Sequence, residues 1–525
     1  MPRADSRDKK LASLGGGSPS VGTTRLPGYP PPSARERVEK GKPASDRVVP
    51  VAPSDLGAIP SRSTCRGPNR LFGAKGTPDA SRSCHARRRR LVALLVLCVV
   101  LAFAACSHHA GEGNVTRITF WHGMGGPLGR VLESLVKEFN ATHPDIQVVS
   151  VSMGTYNALS QKIMAAVAAG KPPVMAQAYE NWTVELIISK SIVPIQKFID
   201  GPTGLSPESF ADILPVFIEN NKWGTTIWSF PFNKSVRALY YNKTLFAEAG
   251  LDPERAPATW DDYLDYARRI TKDTNGDGRP DIWGTAGQIN AWTFGNLLLE
   301  NGGRFLDPET ELVAFSGPEG IGALKFMKKL LADSVGFLAS GFEYQNDFLA
   351  GKVGMIEGST VSVAFMAGKY KFPLGIAPLP AGKQKGMTIA GTNVVIFAKA
   401  TPAEQEAAWE FIKWFTDTQQ TAKWAAGTYY VPVRRSAFET DVLKQRFDAY
   451  PGLREAFSQL DYASFEPKIA GWYAGRRYLD ERAIEVVLKG GQDEATALNA
   501  AAARANAEIK RLKRLQEKLG LSSGS

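Results

Sequence analysis

From Ile118 the chain alternates short apolar runs with segments of helical period, and few folds accept that alternation. ITFW at Ile118–Trp121 reads as a strand. The next segment, PLGRVLESLVKEFNATHP, sets Leu128, Val131, Leu132, Leu135, Val136 and Phe139 on one helical face, and DIQVVSVSM reads as a second strand. A strand, helix and strand of these lengths make a βαβ unit with parallel strands, because only a long crossover can return a parallel neighbour, and the crossover should be right-handed. NALSQKIMAAVAAG, VMAQAY, WTVELIISKS and IVPI repeat the theme. PFNKSVRALYYNKTLFAEAGL then reads as a strand and a helix closed by Gly250, which Pro253 and Pro257 keep from continuing. TWDDYLDYARRITKD and the Ala-rich stretch around ATALNAAAARANAEIKRLKRLQEKLG read as amphipathic helices. The predicted fold class is α/β.

The formal charge of +11 would suggest nucleic acid or an anionic surface, but its location removes that implication. Residues 1–106 hold 19 of the 63 Lys and Arg and 7 of the 52 Asp and Glu, so the remainder is almost neutral and no nucleic-acid partner is expected. All four cysteines, Cys65, Cys84, Cys98 and Cys106, precede residue 107, whereas all eleven tryptophans follow it. The folded part therefore has neither disulfides nor cysteine metal clusters. Residues 1–86 are rich in Pro, Gly, Ser and Arg without an apolar period, so too little surface can be buried there to offset chain entropy. They are expected to be disordered, or upstream sequence included by a misplaced start codon.

Arg87–Arg90, the fifteen apolar residues Leu91–Ala105 and Cys106 follow the order of a secretory signal. The run is shorter than the roughly 20 residues of a spanning helix. Ala104, Ala105 and Cys106 resemble the end of a lipobox, with Phe103 where Leu is usual. Residues 87–106 are thus expected to be a lipoprotein signal, Cys106 the lipid-bearing membrane anchor, and residues 107–117 a tether.

Several phrases resemble one family from Ile118 to about Leu515: FWHGMGGPLG, LVKEFNATHP, YYNKTLFAEAGLDP, TWDDYLDYA, FIKWFTDTQQTAKWAAGTYYVPVRRSAF and the terminal Ala-rich helix. The chain is similar to the family 1 extracellular solute-binding proteins of ABC importers. That resemblance implies a two-lobe periplasmic-binding-protein-like fold of type II, with hinge crossovers and a ligand cleft between the lobes. It places residues 118–231 and 387–433 in one lobe and 232–386 and 434–518 in the other. It further implies an extracytoplasmic monomer that binds a small polar solute and delivers it to the transmembrane subunits of an ABC permease, with no cofactor and no turnover.

Within the family, the order of phrases is nearest to members that bind glycerol 3-phosphate or a glycerophosphodiester; a di- or oligosaccharide is the alternative. Lys234 and Arg237 depart from that pattern by adding positive charge near the hinge strand. The resemblance carries ligand contacts onto Tyr156 in GTYN, Glu180 in AYEN, Ser235 in FNKS, Trp292 in INAWTF, Ser359 in EGST, Gly391 in IAGT, Tyr430 in TYYV and Arg477 in GRRY. These types suit a polyol phosphate. Arg477 can grip two phosphate oxygens with a planar fork, ionised Glu180 accepts only, as glycerol hydroxyls require, and the aromatic rings offer flat faces to C–H groups. Each has a plainer account. Arg477 could pair along its helix with Asp480 and Glu481, and the serines could bond local backbone.

DTNGDGRPD places Asp273, Asn275, Asp277 and Asp281 at the first, third, fifth and ninth positions of a calcium-loop pattern, although Gly284 stands where a Glu is required. A structural calcium is weighed there against a solvated Asx-rich turn. The competing class is a secreted glycoside or phosphodiester hydrolase, which needs only two carboxylates. No GxxxxGK[ST], GxSxG or HExxH occurs, and only His122 and His143 lie in the folded part.

Overall fold

The computed structural model describes residues 115–518; the expectations for the leader, the signal segment and Cys106 lie outside the described residues. β1 (Thr116–His122) buries Ile118 and Phe120 completely on one face, as a two-residue period dictates. α1 (Gly126–Thr142) lays Leu128, Leu132, Leu135, Val136 and Phe139 into the same core. β2 (Ile146–Ser152) then runs parallel to β1, paired from Thr116↔Ile146 to His122↔Ser152. The predicted βαβ unit is therefore present. α2 (Tyr156–Ala168), β3 (Met175–Ala178), α3 (Glu180–Ile188) and β4 (Ile192–Val193) extend this lobe, and β5 (Phe230–Ser235) ends its first passage.

After Val236 alone the chain enters a second sheet as β6 (Arg237–Asn242). Residues 232–235 thus run in the first sheet, four residues past the boundary expected from the sequence. Those residues are all buried and pair with a later strand of that sheet, and no turn residue announces the change. α4 (Trp260–Ile270) begins with a capping box between Thr259 and Asp262, a device worth about 1 kcal/mol. β7 (Trp283–Gly287), α5 (Ala291–Glu300), α6 (Pro318–Ala332), β8 (Gly336–Leu338), β9 (Val353–Ser359), α7 (Ser362–Met366) and β10 (Leu374–Ala377) follow. The second sheet has the order β8-β7-β9-β6-β10.

β11 (Met387–Phe397) returns to the first sheet and is its hub, antiparallel to β3, β4 and β5. α8 (Pro402–Phe415) and α9 (Thr418–Thr428) close over that lobe, with Trp409 fully buried against Phe230 at 5.5 Å between ring centroids. Burying one such ring contributes about 2–3 kcal/mol. β12 (Ala463–Phe465) runs parallel to Met387–Ile389 at the edge of the first sheet, within a segment assigned from sequence to the other lobe. α10 (Trp472–Leu479) and α11 (Glu494–Lys518) finish the described chain. Ala497, Ala501, Ala502 and Ala505 of α11 are buried, and the small Gly475 faces Ala505, so the two helices approach closely. That packing fixes the orientation of α10. The first sheet has the order β12-β11-β3-β1-β2, with β4 and β5 also on β11.

Candidate ligand-binding cleft

A cavity of about 470 Å³ is walled by residues of both sheets. Tyr156 enters it from the first residue of α2, whose Thr155 cap accepts a hydrogen bond from the Ala158 N–H at 3.3 Å. Tyr179 and Glu180 enter at the start of α3, Ser235 at the end of β5, Gly391 from β11 and Tyr430 just beyond α9. The second lobe contributes Trp292 from the first turn of α5 and Ser359 from the end of β9. Seven of the eight residues expected from sequence are thereby brought to one cavity.

Arg477 is not among them. It is exposed and lies over the ring of Tyr478, and the neighbouring Arg476 lines the cavity instead. Successive helical residues point about 100° apart, so a carry-over by one position puts the charge on the wrong side of α10. Sequence reasoning also missed Tyr179, Glu466 and the α7 residues Ser362 and Phe365. Only Arg476 had a signal: it follows the buried Trp472 by four residues and adjoins the buried Gly475.

The site is built on a rigid polar frame. Asn233, fully buried in β5, donates to the Tyr156 hydroxyl at 3.0 Å and accepts from Gln177 Nε2 at 3.0 Å and Thr392 Oγ1 at 2.5 Å. Tyr156 and Tyr179 meet edge to face at 5.2 Å, and Tyr430 stacks on Trp424 at 5.6 Å. Gly391 has φ of +98°, and a Cβ there would lie 1.7 Å from the Asn233 carbonyl oxygen, so only glycine lets β11 lie this close to β5. Trp292 is held at its edge, its Nε1–H donating to the Thr388 carbonyl at 2.7 Å.

Charge is concentrated on one side. Glu180 is only 5% exposed; burial raises its carboxyl above the usual range, and Lys234 draws it back down. Lys234, 1% exposed, donates to Asn220 Oδ1 at 2.6 Å. Burial pulls its ammonium down to about 8 against the attraction of Glu180. Glu466 accepts from Trp472 Nε1 at 2.9 Å and lies 3.4 Å from Arg476 Nε. Burial works against the Arg476 charge, but Glu466, Tyr179 and Asp480 more than offset it and raise its pKa. Asp480 is pushed up to about 6 by burial, with Arg476 opposing. The Nε–H of Arg476 has no hydrogen-bond partner. The cleft therefore offers carboxyl acceptors, a guanidinium and aromatic faces, the equipment for holding a polar solute.

The acidic loop lies outside this cavity. Asp273 accepts from the Gly276 and Gly278 N–H groups at 2.7 Å each, Asn275 from the Asp277 N–H at 2.9 Å, Asp277 from the Arg279 N–H at 2.8 Å, and Asp281 from the Thr274 N–H at 2.8 Å. These side chains are engaged by the loop's own backbone. Among the described residues no group of three or more His, Cys, Asp or Glu is arranged to hold a metal ion.

Residues 134–453, well over half of the chain, match the family described as bacterial extracellular solute-binding protein. The chain belongs to this family. Among curated proteins, the sn-glycerol-3-phosphate-binding periplasmic protein UgpB of Pectobacterium atrosepticum is 28% identical over 438 residues, covering 81% of this chain and 97% of the relative. UgpB of Escherichia coli K12 is 26% identical over 414 residues, covering 76% and 94%. Among solved structures, UgpB from Mycobacterium tuberculosis in complex with glycerophosphocholine aligns with a TM-score of 0.67 at 22% identity, covering 75% of this chain and 99% of that one. The cyclic α-maltosyl-1,6-maltose binding protein from Arthrobacter globiformis aligns at 0.64 and 23% identity, covering 76% and 100%. These likenesses give the family member its fold, two α/β lobes around a cleft, as the sequence resemblance implied.

Proposed function

We propose that this solute-binding protein captures a glycerophosphodiester, or glycerol 3-phosphate itself, outside the cytoplasmic membrane and delivers it to the transmembrane subunits of an ABC permease. A phosphate-bearing ligand is supported above all by Arg476, a guanidinium that lines the cavity, since guanidinium and phosphate oxygens form strong charge-assisted hydrogen bonds. Glu180, which lines the same cavity, would accept hydrogen bonds from glycerol hydroxyls. The names of the UgpB relatives point to the same chemistry. A diester suits the space better than glycerol 3-phosphate alone, because Tyr156, Tyr179, Tyr430 and Trp292 extend apolar faces past what one glycerol can cover. A di- or oligosaccharide is the second candidate. The same rings and the carboxylates of Glu180 and Glu466 suit sugar faces and hydroxyls, and several structural neighbours are named for sugars.

The ligand would leave unchanged. Cys106 would tether the protein to the membrane by lipid, and the protein would act as a monomer. Calorimetric titration with glycerol 3-phosphate, glycerophosphocholine, maltose and trehalose decides between the ligands: binding of a phosphate compound at micromolar affinity with silent sugars is the expected result, and a sugar as sole binder would overturn it. Product release from glycerophosphocholine or oligosaccharides would instead reveal a hydrolase.

A further inference from the structure

Arg237, one residue past the crossing at Val236, lines no part of the ligand cavity yet lies against its wall. The residue is 5% exposed. Its guanidinium carbon stands 5.1 Å from the centroid of the Trp292 ring, and its Nη2 lies 3.5 Å from the Glu357 carboxylate. In the β6–β9 ladder Arg237 is paired with Ser359, itself a cavity residue, and Glu357 lies two positions along the same strand. Trp292 therefore has a hydrogen bond at its indole edge and a cation over its ring, while it lines the ligand cavity and Arg237 does not. The guanidinium backs the ring.

Behind this pair is a smaller cavity of about 70 Å³, bounded by Arg237 and Glu357 together with Phe326, Met327 and Leu330. The Arg237 Nε–H has no hydrogen-bond partner. The buried charge is thus balanced by Glu357 and the indole face, and loss of the guanidinium would enlarge the void and let the indole turn away from the ligand. A cation over an aromatic face is a directional restraint of this kind.

We propose that Arg237 is a positioning residue of the cleft: pinned by Glu357, it backs Trp292 and fixes the indole as the flat wall against which a ligand's C–H groups pack. This depends on the cleft being the ligand site and not on which solute enters it. Removing Arg237 alone would leave Glu357 buried without its counter-charge, so the pair is removed together as R237M/E357Q.

Full-length protein labelled with 5-fluorotryptophan gives the first measurement, with the Trp292 fluorine resonance assigned by its loss in W292F. In R237M/E357Q that resonance should shift and broaden while the other tryptophan resonances stay in place. The second measurement is affinity for whichever of glycerophosphocholine and maltose the wild-type protein binds. It should fall about tenfold in R237M/E357Q, and the pair change should add nothing further in a W292A background. A Trp292 resonance that does not move, or effects of R237M/E357Q and W292A that simply add, would overturn the proposal. Wild-type protein that binds neither probe would refute the ligand assignment, and the fluorine spectrum would still decide the role of Arg237.

Discussion

Two adjacent arginines of α10 have opposite surroundings, and a one-residue difference in assignment changes the outcome of mutagenesis. Arg476 faces the cavity beside Glu466, and Arg477 faces solvent. R476A should lower ligand affinity about tenfold or more by calorimetry, as loss of a central buried anchor does, whereas R477A should leave it within about twofold, as for an exposed charge. The helical period of Trp472, Gly475 and Leu479 already put position 476 on the inward face; matching by motif selected its neighbour. Glu466 offered no comparable signal, since it follows a three-residue strand and no motif surrounds it. Asp480 belongs to the same cluster and makes a pH prediction. Its carboxyl is raised in the folded protein, so the folded state holds the proton more tightly than the unfolded chain, and this group's contribution to stability is lost as pH rises through about 6. The urea-unfolding free energy of wild type minus that of D480N should therefore fall between pH 4 and pH 7, with a slope of about 1 kcal/mol per pH unit at most. A flat difference would mean that Asp480 is unperturbed.

At the level of elements, β11 carries the greatest consequence for a single atom. Gly391 sits where its backbone has φ of +98° and where a methyl group would collide with the Asn233 carbonyl. G391A should cost about 2 kcal/mol or more in urea unfolding, and it should weaken ligand binding because Asn233 also holds Tyr156. The elements with clear periodicity, β1 and α1, were legible in the sequence because one face of each is buried and the other is not. The junction of β5 and β6 was not. PFNKSVRALYYN is buried throughout, so neither a polar face nor a turn marks where one sheet ends and the next begins. The informative signal in that stretch was of another kind: Asn233, Lys234 and Ser235 are polar residues inside an otherwise apolar run, and such residues need partners or a ligand.

For the whole molecule, two sheets wall one cavity, so a solute that touches both walls favours the closed arrangement by its differential affinity. The radius of gyration from X-ray scattering should decrease when saturating glycerophosphocholine is added, and E180A/R476A should abolish the change. Ligand at about a hundred times its Kd should also raise unfolding free energy by about 2.7 kcal/mol. An unchanged radius with a raised melting temperature would indicate binding to a cleft that is already closed. The single-residue join at Val236 has a mechanical corollary. Ser235 and Arg237 flank the fulcrum and would travel little during any rocking of the lobes, whereas Phe342 and Phe365, 68% and 41% exposed at the mouth, sit at the end of the lever. A short guest that reaches only the fulcrum could lodge without drawing the mouth shut, and a longer one that spans to those rings would be the guest that triggers delivery.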